Sequence, residues 1–188
     1  CHFKRLPSYL YSRDPARQAD LEREARAASA LGIRACFTGQ TGLPFETVGA
    51  VRFENQAQFH PLEFIKALSD QVTVYEKTRV IRVKGHTVYT NRGTVTARHI
   101  VFATHYPFVN VPGFFFTRLH QDRSYCLGLS GTAPLDGMYY SVDKNGLSLR
   151  WNEETLLLRG GSHRTGKNTA GGEYQRLKKA AKQYYPDS

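Results

Sequence analysis

The sequence predicts an α+β protein in which an antiparallel sheet is flanked by helices. Short β-rich runs separated by polar turns fall in two regions of the chain, residues 72–104 and 125–159. Helical patterns stand before, between or after these regions and do not alternate with single strands. Runs of strands beside separate helices are typical of α+β folds, whereas regular strand–helix alternation would favour an α/β fold.

Three helices are predicted from capping residues and apolar periodicity. Asp14 and Pro15 suit the start of the first helix, and Gly32 is placed to end it. The second helix is predicted to begin at Pro61, and the third to run from about residue 172 to 185. Each has apolar residues on one face: Leu21, Ala25, Ala28 and Leu31 in the first, Leu62, Ile65 and Leu68 in the second, and Tyr174, Leu177, Ala181 and Tyr184 in the third.

Residues 72–105 are predicted to form a short strand, a three-stranded meander and a final buried strand. Residues 72–75 are apolar or β-branched, which favours the first strand. Residues 99–104 are mostly apolar without alternation, which is typical of a strand covered on both faces, as in a parallel sheet. The meander strands between them are predicted at residues 79–83, 87–90 and 94–97, with Gly-containing turns.

A second group of strands is predicted after a loop at residues 106–116, which is rich in Pro, Gly and Phe. Polar turns at residues 143–146 and 152–154 separate the last three strands of this group and predict an antiparallel meander. One further strand is predicted earlier in the chain, at residues 48–53. The strands of the second group are predicted at residues 125–130, 138–142, 147–151 and 156–159.

The composition is that of a globular protein with a buried core. The chain has 188 residues, of which 40% are hydrophobic, enough for one domain or for one domain with a small appendage. No apolar run approaches the roughly 20 residues that span a bilayer. Three dispersed cysteines without a C-x-x-C pair favour a reduced, cytoplasmic protein, and the scattered Cys and His residues predict no metal site.

The net charge of +10 makes nucleic acid an alternative partner. The basic residues are spread over residues 77–98 and 159–182 and form no dense block. A solvated basic surface, or a surface that faces an acidic part of a longer protein, is therefore the favoured interpretation.

Two short motifs give the sequence a resemblance to a known family. Thr78, Arg79 and Val80 form a T-x-V turn before the meander, and residues 101–105 read Val-Phe-Ala-Thr-His after it. In this arrangement the sequence resembles the FAD-dependent amine and amino-acid oxidoreductases of the D-amino-acid oxidase type, in which the second motif ends in Ala-Thr-Gly. His105 stands where that family has Gly. Residues 55–61 and 103–107 are similar to the branch that often carries a C-terminal Rieske domain.

The resemblance implies a split FAD-binding (Rossmann-like) domain and a substrate domain. Residues 72–105 would belong to the FAD-binding region, with its meander and returning strand. Residues 1–71 would supply helices and the first substrate-domain strand, and residues 106–188 the substrate-domain sheet and the last helix. The N-terminal G-x-G-x-x-G unit and the C-terminal segment of such a protein have no match here. We therefore expect an internal fragment that is inactive and does not retain FAD alone.

The resemblance also assigns cofactor-binding residues. Val80 would meet the adenosine part of FAD through its backbone, and Ala103 with Thr104 would lie under the nucleotide. Because successive side chains of a strand point to opposite faces, only one of two adjacent tyrosines in the substrate sheet can face the flavin. No catalytic residue is identified, and each pocket candidate also has an interpretation as an ordinary sheet residue. The candidates for the substrate pocket are Tyr139, Tyr140, Arg150 and His163.

The function implied by the resemblance is oxidation of a C–N bond of an amine or amino acid, with hydride transfer to FAD. Oxygen, or a Rieske 2Fe-2S cluster in a domain outside this chain, would reoxidise the cofactor. The expected partners are the small substrate and the remaining N- and C-terminal parts of the parent chain, without a membrane. Two alternatives stay open: a non-catalytic binding module of the same fold, which His105 in place of Gly allows, and a basic nucleic-acid-binding domain.

Overall fold

The computed structural model describes residues 1–109, 113–167 and 170–188. The chain divides into two compact units, the first unit formed by Cys1–His60 with Asp122–Ser188 and the second unit by Pro61–Gln121. The described elements are β1 (Lys4–Ser12), α1 (Gln18–Ala30), β2 (Ala35–Thr38), β3 (Gly49–Gln58), α2 (Pro61–Ser69), β4 (Val80–Lys84), β5 (Thr87–Thr90), β6 (Gly93–Thr96), β7 (Asp122–Leu129), β8 (Met138–Ser141), β9 (Ser148–Asn152), β10 (Thr155–Arg164) and α3 (Glu173–Tyr184), with short 3-10 helices at Pro15–Arg17 and Phe115–Thr117.

The first unit is built on a seven-stranded sheet in the order β2-β3-β1-β8-β9-β10-β7. β1 and β8 run parallel, and the other neighbouring pairs are antiparallel. The sheet and its helices confirm the predicted α+β class. The predicted segments 1–71 and 106–188 both contribute to this unit, and residues 72–105 lie within the second. The predicted loop at residues 106–116 includes residues 110–112, which lie outside the described part.

The predicted meander of the last three strands is confirmed as β8, β9 and β10. Its first turn is closed by the Gly146 N–H, which donates to the Asp143 carbonyl over 3.0 Å. Asn145 has φ +65° in this turn, a value that Asn tolerates better than most residues. A Cβ atom at position 146 would overlap the Ser141 side chain, so the turn requires glycine there.

β1 lies next to the middle of the sheet, although the sequence analysis does not predict it. Pro7 interrupts its apolar pattern and lacks an N–H for strand pairing. The pairing of β1 with β3 shifts register between Leu6 and Ser8, so Pro7 occupies an irregularity where no ladder hydrogen bond is needed. β3 continues to Gln58 through a polar segment because the first residues of β1 pair with it.

Helix α1 packs on the β1, β2 and β3 end of one sheet face. The predicted cap is confirmed, because the Asp14 carboxylate accepts a hydrogen bond of 3.0 Å from the Ala16 N–H at the start of the 3-10 helix that precedes α1. Leu21 and Ala25 pack with Val51 of β3. Leu31 was predicted inward but is 80% exposed, because the helix ends at Ala30.

Helix α3 packs on the opposite face of the same sheet. Leu177 and Ala181 are buried among the side chains of the sheet, while Tyr174 at the start of the helix remains exposed. The fully buried residues of this layer come from alternate positions of the strands, as the two-residue period of a strand requires: Tyr11, Leu149, Leu156 and Leu158.

The second unit contains α2 and a separate three-stranded sheet in the order β4-β5-β6. The meander agrees closely with its prediction. No residue is buried among those described in this unit. The inward positions predicted for α2 are wrong for this chain, since Leu62, Ile65 and Leu68 are all exposed.

Two strands predicted in the second unit are absent from the described residues. Residues 72–75 and 99–104 have no strand hydrogen-bonding pattern, and Val101 is 85% exposed. A strand exists only when a neighbouring strand accepts and donates its backbone hydrogen bonds. No described strand of this chain lies beside either segment, which is why β-propensity alone gave the wrong prediction.

Candidate functional site

No described helix of the first unit covers one face of the sheet at β8, β9, β10 and β7. Tyr139, Leu149 and Leu158 point toward α3 and the core, so the residues between them in each strand point the other way. Helix α1 covers that other side only at β1, β2 and β3. We call the uncovered area the open face. Its residues are Met138 and Tyr140 of β8, Ser148 and Arg150 of β9, Leu157 and Arg159 of β10, and Cys126 of β7.

Strand register arranges the open face into two rows. In the first row Arg150 pairs with Met138 on one side and Leu157 on the other. In the second row Ser148 lies between Tyr140 and Arg159, and Cys126 lies beyond Arg159. Paired residues in a sheet have Cβ atoms roughly 5 Å apart, so side chains that are neighbours in a row lie close together.

The open face forms a concavity of about 420 Å³. Its lining combines apolar residues with two arginines, Arg150 and Arg159, and includes no Asp or Glu. Arg150 is half-buried, and neither arginine forms an ion pair with any residue in the described part of the chain. A mostly apolar hollow with a few convergent polar groups is the usual form of a small-molecule site.

Tyr140 and Arg150, two of the residues predicted for the substrate pocket, come together on the open face. Tyr140 is 58% exposed. It lies in the second row, two residues along β8 from Met138, which pairs with Arg150 in the first row. Of the two adjacent tyrosines, Tyr140 is therefore the one whose side chain is available to a ligand.

Tyr139 belongs to the core on the other side of the sheet and does not join the open face. Its ring is 2% exposed and stacks on the ring of Tyr9 with centroids 4.6 Å apart. Its hydroxyl donates to the Asp136 carboxylate over 2.5 Å. Burial, followed by this hydrogen bond to Asp136, raises the pKa of Tyr139 well above its ordinary value. The side chain is therefore neutral at physiological pH and is not a base.

His163 also lies away from the open face. It follows an irregularity in the pairing of β10 with β7, between Gly160 and His163. Its Nδ1 atom is 3.0 Å from the Gly161 carbonyl oxygen. Its ring stacks on the ring of Tyr125, with the two centroids 5.9 Å apart. Tyr125 in turn contacts Tyr174 of α3, which places His163 on the α3 side of the sheet.

The residues predicted to contact FAD lie in the second unit. Val80 begins β4 and pairs with Thr90 of β5. Ala103 and Thr104 are exposed in an irregular segment. Their roles at the cofactor stay predictions.

Comparison with known proteins identifies the family. The model of the FAD-dependent oxidoreductase family DAO matches residues 1–188. The chain belongs to this family. The resemblance seen in the T-x-V and Ala-Thr motifs is thereby confirmed.

One relative of this DAO-family chain is YhfW of Bacillus subtilis (strain 168), which is named a Rieske 2Fe-2S iron-sulfur protein. The two are 30% identical over 184 residues, which cover 90% of this chain and 36% of YhfW. The chain thus spans little more than a third of that relative.

Solved structures of the same fold include glycine oxidase from Geobacillus kaustophilus, with a TM-score of 0.73 and 18% identity, and L-proline dehydrogenase from P. horikoshii, with a TM-score of 0.70 and 15% identity. Both alignments cover 98% of this chain, and they cover 55% and 57% of the respective solved chains.

The DAO family implies FAD, and the residues present fit one part of it. The pyrophosphate of FAD needs a turn of backbone N–H groups at a helix N-terminus, and no G-x-G-x-x-G match occurs in this sequence. Ala103 and Thr104 are small and exposed, which leaves their backbone accessible to a nucleotide. Val80, Ala103 and Thr104 are the residues of this chain that would hold the nucleotide part of FAD.

The described residues of this DAO-family chain were compared with the patterns of metal centres and membrane spans. Among residues 1–109, 113–167 and 170–188, no three His, Cys, Asp or Glu side chains are grouped as metal ligands. No helix in the same ranges has the length and apolarity required to cross a bilayer.

Several residues of the open face were not identified from the sequence. Met138, Leu157 and Arg159 share the face of Arg150, and the only sequence signal for them is alternation counted along each strand. Counting along one strand cannot align neighbouring strands, because the register depends on the turns and bulges between them. Alternation therefore indicated which residues of one strand share a face, but it did not indicate which residues of neighbouring strands lie side by side.

Proposed function

We propose that the protein oxidises a C–N bond of an amine or amino acid, with FAD as the hydride acceptor. The family is FAD-dependent, and two solved proteins that share the fold are named for amino-acid oxidation or dehydrogenation. The observation that carries the proposal is Arg150, a half-buried guanidinium without an ion-pair partner in the described part of the chain, on an otherwise mainly apolar open face.

In this proposal Arg150 binds the carboxylate of an amino-acid substrate. A guanidinium presents two parallel N–H groups that match the two oxygens of a carboxylate. Met138 and Leu157 flank Arg150 in the same row and would exclude water from that contact. A desolvated contact is stronger than one in water, so the carboxylate would be firmly held.

Fixing the carboxylate fixes the orientation of the neighbouring C–H bond, which is the main protein contribution to a hydride transfer. When bound, FAD supplies a ring that accepts the hydride. The substrate carbon loses the hydride, the nitrogen loses a proton, and the C–N single bond becomes a C=N double bond. Tyr140, exposed beside this row, would offer a hydroxyl to the substrate.

The electron acceptor and the remaining partners are part of the same proposal. Oxygen, or a Rieske 2Fe-2S cluster carried outside this chain, would reoxidise the cofactor. The name of YhfW motivates the second acceptor. The phosphate turn and the final part of the cofactor site would come from the other parts of the full-length protein, in a cytoplasmic enzyme without a nucleic-acid partner.

The test uses the full-length protein that contains this chain, purified and examined for a flavin absorption band. We expect bound flavin, and we expect an amine or amino acid from a broad panel to bleach the band under anaerobic conditions. A protein without flavin, even after FAD is supplied, would contradict the proposal and favour a non-catalytic binding module. Salt-sensitive retention on DNA or RNA would favour the nucleic-acid alternative instead.

The role of Arg150 is tested in the same protein by Arg150→Gln. We expect kcat/KM for amino acids to fall about 10- to 100-fold, the value of a charge-assisted hydrogen bond. Amines without a carboxylate should change little. Arg123→Gln is the matched control. Arg123 is exposed, and it lies two residues from Tyr125 on β7, on the sheet face opposite the open face. Equal losses for acids and simple amines would show that Arg150 does not recognise the carboxylate.

A further inference from the structure

The open face carries a second arginine that the proposed reaction does not use. Arg159 lies on β10, two residues beyond Leu157, which is the direct partner of Arg150. Residues placed diagonally in this way have Cα atoms roughly 7–8 Å apart and share one face. Both arginines line the same concavity.

No ion pair within the described residues neutralises the positive charge of these two arginines. The Arg159 Nε–H donates to Ser124 Oγ over 2.8 Å, and this contact uses one of five N–H groups. The lining of the concavity contains two cations and no carboxylate. In the part of the chain that the structure describes, neither arginine has a salt bridge. Two like charges close together are stabilised when a ligand brings the opposite charge.

We propose that the substrate of the open face carries two anionic groups, and that Arg150 and Arg159 bind one each. This inference rests on the proposed function and narrows its substrate class to a dicarboxylic amino acid or amine. Arg150 takes the carboxylate next to the reacting carbon, and Arg159 takes the distal one. Because Ser124 holds the Arg159 side chain at Nε, its two terminal nitrogen atoms are available for bidentate binding.

The side chains between the arginines suit a short carbon chain. Leu157 pairs with Arg150, and Ser148 pairs with Arg159, so these four residues are mutual neighbours on β9 and β10. On β8, Met138 lies beside Arg150 and Tyr140 lies beside Ser148. Leu157 and Met138 supply apolar contacts beside the two cations, which match a molecule with methylene groups between two carboxylates. A substrate with one carboxylate would leave the second guanidinium without a partner.

The kinetic test compares matched substrates on the full-length FAD-containing protein. The dicarboxylates are aspartate and glutamate, and the matched controls are asparagine and glutamine, in both enantiomers, since each amide has the shape of its acid without the second charge. We expect kcat/KM to favour the dicarboxylates, and Arg159→Gln to lower it for them about 10- to 100-fold while the amides change little. Arg123→Gln is again the control and should change neither.

A binding measurement separates the failure of this inference from the failure of the proposed reaction. Succinate and propionate contain no amine, so calorimetric titration with each measures recognition without turnover. We expect succinate to bind more tightly, and Arg159→Gln to abolish the difference. Succinate binding that depends on both arginines, in a protein that oxidises no amine, would overturn the reaction and leave the binding of two anionic groups by Arg150 and Arg159 standing.

The opposite results would overturn the inference alone. An active enzyme that uses amides or monocarboxylic amino acids as well as dicarboxylates, and that is unaffected by Arg159→Gln, does not recognise a second anion. The same conclusion follows if Arg159→Gln weakens all substrates and both titrants equally, since Arg159 would then serve the site in general.

Discussion

The two units of the chain contain similar apolar residues that differ in burial. In the first unit Leu158 of β10 is fully buried, because it packs in one core with Leu177 and Ala181 of α3. In the second unit Leu62 of α2 is 72% exposed, and no described residue is buried. The comparison shows that an apolar pattern marks a face that is suited to burial, whereas burial itself depends on a second element that covers the face.

The residues of the open face are covered less than the core of the first unit. It belongs to the well-packed sheet of the first unit, yet α1 covers only the β1, β2 and β3 end of that side. Its apolar residues lie among arginines, so the surface is suited to a polar ligand with an apolar part. The rigid core beneath it keeps the arginines in register, which a site on the second unit would lack.

Hydrogen exchange should reveal the largest difference between the units. Backbone amides of β10 pair with strands on both sides in a unit with a buried core, so we expect them to exchange at least about a thousandfold more slowly than those of β5. Exchange of the 188-residue chain, followed by mass spectrometry, makes the comparison within one sample. Equal protection of β5 and β10 would contradict it and would mean that the second unit is covered.

Truncation of one leucine in each unit should give the next largest effect. Leu158→Ala removes a fully buried side chain, and we expect the free energy of unfolding to fall by about 2–5 kcal/mol. Leu62→Ala, at an exposed position of α2, should change it by about 0.5 kcal/mol or less. Urea denaturation of both variants measures the difference. Similar losses would show that α2 is packed in solution.

Alkaline pH should produce a smaller effect, confined to the buried tyrosines of the first unit. Burial raises the pKa of Tyr139 above its ordinary value of 10.0 and raises the pKa of Tyr185 to about 12. Above the ordinary value the unfolded chain releases these protons and the folded chain retains them, so stability falls as the pH rises. At roughly pH 11, each of these tyrosines should lower the free energy of unfolding by about 1.4 kcal/mol.

Tyr139→Phe and Tyr140→Phe form a matched pair for that measurement. Tyr139→Phe removes the hydrogen bond to Asp136 and should cost about 1 kcal/mol near neutral pH. It should also lose less stability than the wild type on going to alkaline pH, because one titrating hydroxyl is gone. Tyr140→Phe, on the open face, should change neither value. An equal alkaline loss in all three proteins would place the titration elsewhere.

Local sequence signals predicted a large part of the fold. The meander of β8, β9 and β10 follows from short β-rich runs with turn residues such as Asn145 and Gly146 between them. The first helix follows from Asp14 and Pro15, and these signals act over a few residues of chain. Features that depend on partners far along the chain were predicted less well. β1 was missed because Pro7 obscures its pattern, and residues 99–104 were predicted as a strand that has no neighbour here.

The candidate site was predicted only in part for the same reason. Tyr140 and Arg150 were identified as residues of suitable chemistry, and the structure brings them to one face. Arg159 was not identified, because its position beside Arg150 depends on the register between β9 and β10. His163 was a candidate by chemistry, but it lies on the α3 side.

The sequence by itself determined the α+β class, the family motifs, the turns of the meander and the alternation of side chains along each strand. These depend on backbone preferences and on contacts within a few residues. Only the tertiary structure decided that β1 lies parallel to β8, that α1 leaves part of one sheet face open, and that two arginines line the concavity there. These depend on which distant segments pair and pack, and the hydrogen bonds and buried surface that select them form only when the whole unit assembles.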